Sequence, residues 1–403
     1  MKHALRMFAA ALVLAATWAG ASHAQGTSAA DSSAAAAATA GATAATPPPA
    51  YTPPPPISTS PDFPRGRFNG VLFIDYYYNV TGDPKHRYNS SGADSTPVSL
   101  DGSFGAGAQP KLIGRDLNGL LLRRAYFTYD NDLSIKYAVR FRLEADSKSL
   151  TSDSKIGVNV KAAYVQIKNV YTRAHLFAGM TNSPMWENPE EFWGYRSVEK
   201  TISDFRGLAS SVDLGLQLKG SVDAAKRVGY NAMLGTGTGQ KVEDNRYKRA
   251  YLAVPLRPLE NLIVEPYADY EWAAGGKDKA TYKLFAGYEL RRAVIGGEIV
   301  DRVAHQTGSP NKEPFGFSLF GRWMPRPEVA AFARYDHWKP DDRAPNRIDT
   351  ELWIAGLDWQ PHKDVHIMPN VLTTRYFAKG TMTAPAHHDT QARVTLYWKF
   401  SKP

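Results

Sequence analysis

The stretch SIKYAVRFRLEAD, Ser134 to Asp146, places Lys136, Arg140, Arg142, Glu144 and Asp146 on one side of an extended chain. Ile135, Tyr137, Val139, Phe141, Leu143 and Ala145 fall on the other. Neighbouring stretches with the same alternation add Arg124, Lys161, Arg173 and His175 to the charged side. A guanidinium is a planar fork that holds phosphate or carboxylate in two bonds and does not lose its proton, so such a wall could attract and pass anions. It reads equally well as a set of pairs neutralised by Glu144, Asp146 and Asp213. A second charged stretch, Thr181 to Ser211, carries Glu187, Glu190, Glu191, Glu199 and Asp204 against Arg196, Lys200 and Arg206, an acidic surplus. Further on, Glu265, Asp269, Glu271, Glu289 and Glu298, with Lys283 and Arg292 among them, make another acidic region.

Other patterns point to no chemistry. GTGTG at Gly235 to Gly239 lacks the Lys-Ser/Thr of a phosphate loop and reads as a flexible hairpin. His362 and His366 have HxxxH spacing but would lie on a turn and a strand, where they do not converge as they do on a helix; His387, His388 and Asp389 offer a weak set at best. No G-x-S-x-G is present and nothing singles out one serine. We therefore expect no catalytic residue, no metal and no cofactor. The chain has no cysteine, which excludes disulfide scaffolds, thiolate metal sites and cysteine nucleophiles.

The charged faces need strands to position them. Period-2 alternation recurs near 67–78, 121–130, 134–146, 158–168, 173–180, 212–220, 228–235, 247–255, 262–272, 281–290, 292–302, 315–324, 328–338, 350–360, 364–377 and 391–400. The connections alternate between short and long. That asymmetry, with an even strand count, marks a transmembrane antiparallel β-barrel of about sixteen strands, with tight periplasmic turns and long extracellular loops. A closed barrel satisfies every backbone group in lipid, and sixteen strands leave an aqueous lumen. The apolar faces, such as Val212, Leu214, Leu216 and Leu218, should meet outer-membrane lipid. Tyr76, Tyr77, Tyr78, Trp272, Trp323, Trp338, Trp353 and Trp359 should form the interfacial girdles.

The N-terminus assigns the compartment. Lys2 and Arg6, an apolar stretch from Met7 to Ala21 and the small residues of Ser22-His23-Ala24 read as a signal peptide over 1–24. Residues 25–64, rich in Ala, Thr and Pro, read as a disordered periplasmic linker, and 65–403 as the barrel. The net charge of +9 and pI near 9.4 would suit nucleic acid, but export and the lack of a basic helix argue against that partner.

Most of the chain from Arg67 to Phe400 resembles the phosphate-selective porin O and P family of bacterial outer-membrane porins. The likeness is densest in AYVQIKNVYTRAHLFAGMTNSPM and SVEKTISDFRGLASSVDLGLQLKG. Gly179, Pro184, Glu199 and Asp213-Leu214-Gly215 match the family pattern, while Lys200 and Val212 stand where arginines are usual. The resemblance implies a water-filled channel for passive diffusion of small hydrophilic solutes, with a modest preference for anions such as phosphate. It also implies a homotrimer with contacts around the first and last strands, and a third loop folded inward as the constriction. An acidic loop facing a basic wall would set a transverse field across the opening. Tyr397, Trp398 and Phe400 resemble the aromatic end that barrel-assembly machinery reads. The alternatives are a structural or adhesive barrel with a plugged lumen and a barrel-embedded enzyme.

Overall fold

A computed structural model describes residues 62–82, 115, 116, 118–150, 155–383 and 388–402. The signal-peptide segment, nearly all of the linker, most of the first long loop and His387 lie outside the described residues.

Each alternating segment coincides with a strand. The first five are β1 (Arg65–Thr81), β2 (Asn118–Asp132), β3 (Tyr137–Leu150), β4 (Ile156–Tyr171) and β5 (Ala174–Asn182). Loop L3, residues 183–211, follows and contains two short helices, α1 (Glu187–Trp193) and α2 (Ile202–Phe205). Next come β6 (Val212–Ser221), β7 (Gly229–Gly235) and β8, which runs as Arg249–Ala253 and again as Leu256–Leu259. Pro255 has no N–H to give a ladder, and the strand breaks there, yet both pieces pair with β9 (Leu262–Glu271) and count as one strand. The remainder are β10 (Lys279–Leu290), β11 (Ala293–Ala304), β12 (Phe315–Arg326), β13 (Val329–Lys339), β14 (Arg347–His362), β15 (Val365–Lys379) and β16 (Asp389–Lys402).

All neighbours pair antiparallel, and β1 bonds on both sides: Ile74 lies opposite Leu122 of β2 and Leu396 of β16. The sheet is therefore a closed barrel of sixteen strands, with no edge left to be solvated. Leu214, Leu216, Leu218, Val394 and Trp398 point outward and are exposed, as the alternation requires of a surface that meets lipid. Trp272, Trp323, Trp353 and Trp359 are also exposed, but two expected girdle residues are not. Trp338 is only 2% exposed and packs inside, with Arg206 over its ring, and Tyr77 shares the inward face with Asp75 and Asn79.

Two of the β-bulges turn additional cations into the lumen. Opposite Phe73 and Ile74, β2 carries an extra residue, so that Arg123 and Arg124 both turn inward. Opposite Arg142 and Leu143, β4 carries an extra Lys161, which joins the inward face. A bulge re-aims one side chain and shifts the phase of all that follow.

Candidate functional site: the lumen and its third loop

L3 crosses the lumen because its side chains have an apolar wall to pack on. Phe192, Trp193, Tyr195 and Val198 form one buried cluster with Ile263, Phe285, Val294, Phe320, Phe332, Leu352, Ile354, Met368 and Leu372, which face inward from β9 to β15. Trp193 sits edge-on to Phe320 at 5.5 Å, and Tyr195 stacks on Phe332 at 4.1 Å. A second cluster joins Met185, Trp186, Ile202, Leu208 and Ala209 of the loop to Met233, Tyr251, Tyr267, Val300 and Trp338. Burial of each large ring stabilises by roughly 1.5–3 kcal/mol, so the loop is held as firmly as a core element.

A buried loop brings backbone carbonyls away from water, and each needs a donor. Five wall cations supply them. Arg123 donates to Ser197 and Val198 O, Arg393 to Val198 O, Arg334 to Lys200 O, Arg249 to Leu208 O and Lys283 to Met185 O. Arg123 also lies 3.2 Å from Asp75 and 3.8 Å from Glu199. None of these five was among the residues picked out by alternation as a basic wall. They are the charges that hold the loop.

The residues that were picked out divide. Arg124 pairs with Glu144 at 3.0 Å and Asp146 at 3.5 Å, and Lys161 pairs with Glu144 at 3.0 Å and donates to Ser211. Arg140 makes a two-bond pair with Asp130, at 2.6 and 3.1 Å. Lys136 is exposed in the β2–β3 turn, not on the wall, because β3 begins only at Tyr137. Arg173 likewise lies in the β4–β5 turn with φ of 60° and donates to Val222 O, while His175 stands one residue into β5. Arg142 is different: it donates to Thr128 Oγ1 and lies over the Tyr126 ring at 5.2 Å, with no carboxylate partner among the described residues.

On the loop, Arg196 bonds both Glu190 and Asp204, and Lys200 reaches Asp204 at 3.2 Å. Burial would raise the Asp204 carboxyl, but Lys200 and Arg196 hold it far below the usual carboxylate range. At Glu190 burial prevails, and its carboxyl is pushed up although Arg196 faces it. Burial pushes Arg206 down to about 10; it donates to Thr350 from between the rings of Phe205 and Trp338. Glu199 is fully buried beside Arg123, and Glu187 pairs with Lys219 of β6. Glu191 is exposed.

Glu265 and Asp269 from the acidic region are also taken up, by Lys283 and Arg249, while Glu298 accepts from Ser203. Glu289 is exposed at the C-terminal end of β10 and Arg292 lies in the following short turn.

The apolar packing of L3 thus lies on β7 to β15, and water-accessible polar groups remain on the rest of the wall. There the side chains of Arg140, Lys168 and Lys219 are 32%, 26% and 41% exposed. Two cavities adjoin the loop. One, of about 500 Å³, is lined by Arg142, Arg322, Tyr126, Tyr195 and Tyr397 among others; the second, of about 590 Å³, by Arg173, His175, Lys219, Lys226, Arg257 and Glu187. Glu191 lines both.

The GTGTG stretch, expected to be a flexible hairpin, closes on an anion of the chain itself. Asp213 accepts from Gly237 N at 2.8 Å, Gly239 N at 3.1 Å, Thr236 Oγ1 at 2.8 Å and Tyr251 OH at 2.7 Å. Asp213 is therefore bound to this loop and does not neutralise the basic wall. Gly179, three residues before the end of β5, has φ of 130°, and a Cβ there would come within 2.3 Å of Ala163 O. This point of the strand, where the neighbouring β4 backbone comes close, thus requires glycine. His366 bonds Asp358, while His362 lies exposed near Asp364.

No protein-family model matches the chain, and no curated protein matches it by sequence. Solved structures do match its fold. The anion-selective porin from Comamonas acidovorans superposes with a TM-score of 0.58 at 12% identity, covering 84% of this chain and 100% of that one. OmpT of Vibrio cholerae, in its trimer form, gives 0.57 at 12% identity over 84% and 100%. The outer membrane channel DcaP of Acinetobacter baumannii gives 0.56 at 12% identity over 85% and 99%. The chain has the fold of these outer-membrane barrels.

Proposed function

We propose that the chain is an outer-membrane porin of a Gram-negative-type bacterium, passing small hydrophilic solutes by diffusion with a modest preference for anions. It performs no catalysis in this reading. The observation that carries it is that the apolar packing of L3 lies on β7 to β15, which leaves partly buried Arg142 and the cations of the second cavity along the remaining wall. Preference is modest because Arg124, Lys161 and Arg140 are paired with carboxylates, leaving few net charges to act on a solute. The fold shared with an anion-selective porin supports the same reading.

Within the porins, the phosphate-selective O and P family remains our assignment on Gly179, Pro184, Glu199 and Asp213. Phosphate is one permeant anion in this proposal, not a tightly held one. We assign residues 1–24 to a cleaved signal peptide and 25–64 to a periplasmic linker, and propose a homotrimer, the state named for one OmpT structure. Outer-membrane lipid and barrel-assembly machinery are the partners this implies.

A second reading has its own support. L3 is anchored from β2, β8, β10, β13 and β16, as a stopper would be, and a plugged structural barrel would look the same from these contacts. Insertion of the purified protein into a planar bilayer under a potassium chloride gradient separates them. Steady single-channel steps with an anion-side reversal potential support the porin; no conductance supports the stopper.

A further inference from the structure

The 500 Å³ cavity beneath L3 is more aromatic than a passage for inorganic ions needs to be. Phe73 stacks on Tyr397 at 5.5 Å and meets Tyr126 edge-on at 6.2 Å, and Tyr397 continues to His366 at 5.2 Å. These rings come from β1, β2, β16 and β15 and form one inward strip; Tyr195 of the loop and Met368 line the same space. Two guanidinium groups enter it. Arg142 lies over Tyr126, and Arg322 of β12 has its Nε buried without a hydrogen-bond partner among the described residues. Arg322 is positioned by Gly194, the left-handed end of α1, whose backbone it approaches so closely that a Cβ would fall 2.3 Å from its Nη1.

Of the other groups around the cavity, Arg196 is satisfied by Glu190 and Asp204, and His366 bonds Asp358. That leaves Arg142, Arg322 and Lys399 against Glu191 and the Asp358 carboxylate bonded to His366, still a positive surplus beside an apolar surface. A cavity of this size with apolar rings and a few convergent polar groups suits an organic ligand. Hydrated phosphate would gain little from rings that cannot replace its water. A flat ring bearing one carboxylate would bury its face against the strip and give its oxygens to the guanidinium forks.

We infer that this cavity is a binding subsite for aromatic monocarboxylates in transit, held by Arg142 and Arg322 against the Phe73, Tyr126, Tyr195 and Tyr397 rings. The inference rests on the porin reading and names a solute class for it.

The test uses the full mature chain in a planar bilayer, with benzoate, acetate and inorganic phosphate added in turn to a chloride current. Benzoate should block saturably, at a concentration about tenfold or more below acetate and phosphate, as one added ring contact of ordinary size would give. Tyr126→Leu should raise the half-blocking benzoate concentration about tenfold while moving the acetate value much less, and Arg322→Gln, which removes a partner of the carboxylate itself, should raise both. Calorimetric titration of benzoate and acetate onto detergent-purified protein gives the same comparison without relying on conduction. Should one variant not fold, the other reads the same site. Equal block by benzoate and acetate, or variants indifferent to benzoate, overturns the subsite even if the pore prefers anions. Preferential benzoate block with no chloride preference upholds the subsite and removes the general selectivity instead.

Discussion

Arg123 Nη1 stands 2.7 Å from the carbonyl oxygen of Ser197, so a cation turned inward by the bulge in β2 spends its donors on the loop that narrows the lumen. Removing it would take from the buried Glu199 one cation and leave Asp75 with Arg393 at 3.9 Å. Arg123→Met should therefore cost about 3–5 kcal/mol, the usual penalty for breaking a buried pair, and loosen L3. Larger and noisier single-channel steps than native are the expected result. Identical conductance and noise would show that the loop does not depend on this anchor.

Trp193 tests the apolar half of the same attachment. It is 1% exposed, touches Phe320, Phe332 and Tyr195, and donates its indole N–H to Glu199 O at 2.8 Å. Trp193→Ala should destabilise by about 3–5 kcal/mol. The readout is cleavage within residues 183–211 by added protease, rapid in the variant and slow in native protein.

These two residues show what the sequence could and could not reveal. Strands were legible because a barrel wall between lipid and water imposes alternation, and SIKYAVRFRLEAD obeys it. Arg123 was missed because a bulge puts two consecutive residues on one side, and alternation assigns them to opposite sides. The inner patch of Phe285, Phe320, Leu352 and Ile354 was missed because those strands are apolar on both faces, as in Ile354 inward beside Trp353 outward. A sequence shows which residues are charged, but not which charges are already taken. Arg140 and Arg142 look alike in sequence, and only the fold gives one Asp130 and the other Thr128.

The clamp on Asp213 makes a separate prediction. An Asn at this position would turn an amide N–H toward groups that themselves donate. Asp213→Asn should cost about 3 kcal/mol, on the scale of hydrogen bonds to a charged group. Amide exchange at Gly237 and Gly239 should become much faster than in native protein; unchanged protection would show that the loop is held elsewhere.

Acid should act on L3 in two opposed steps. Glu190 is raised in the folded state, so the fold binds its proton more readily than the unfolded chain, and stability rises as pH falls through the window between its raised value and the ordinary one near 4.5. Asp204 is lowered, so its contribution is present above about 3.8 and is lost as pH falls further. The thermal midpoint of native protein should pass through a maximum near pH 4–5. Glu190→Gln should abolish the rise on the alkaline side and keep the acid loss; a variant with the native profile would contradict the assignment.

The central claim is that net, unpaired charge on the open side of the lumen sets the anion preference. The most direct measurement is the reversal potential in asymmetric potassium chloride at low salt, where the Debye length is about 10 Å at 0.1 M. Arg142→Gln, which deletes a cation without a carboxylate partner, should shift it toward cations. The double variant Arg140→Gln with Asp130→Asn removes a whole neutral pair and should leave it near the native value. An Arg142→Gln potential equal to native, or a double variant that shifts as far, would contradict the account.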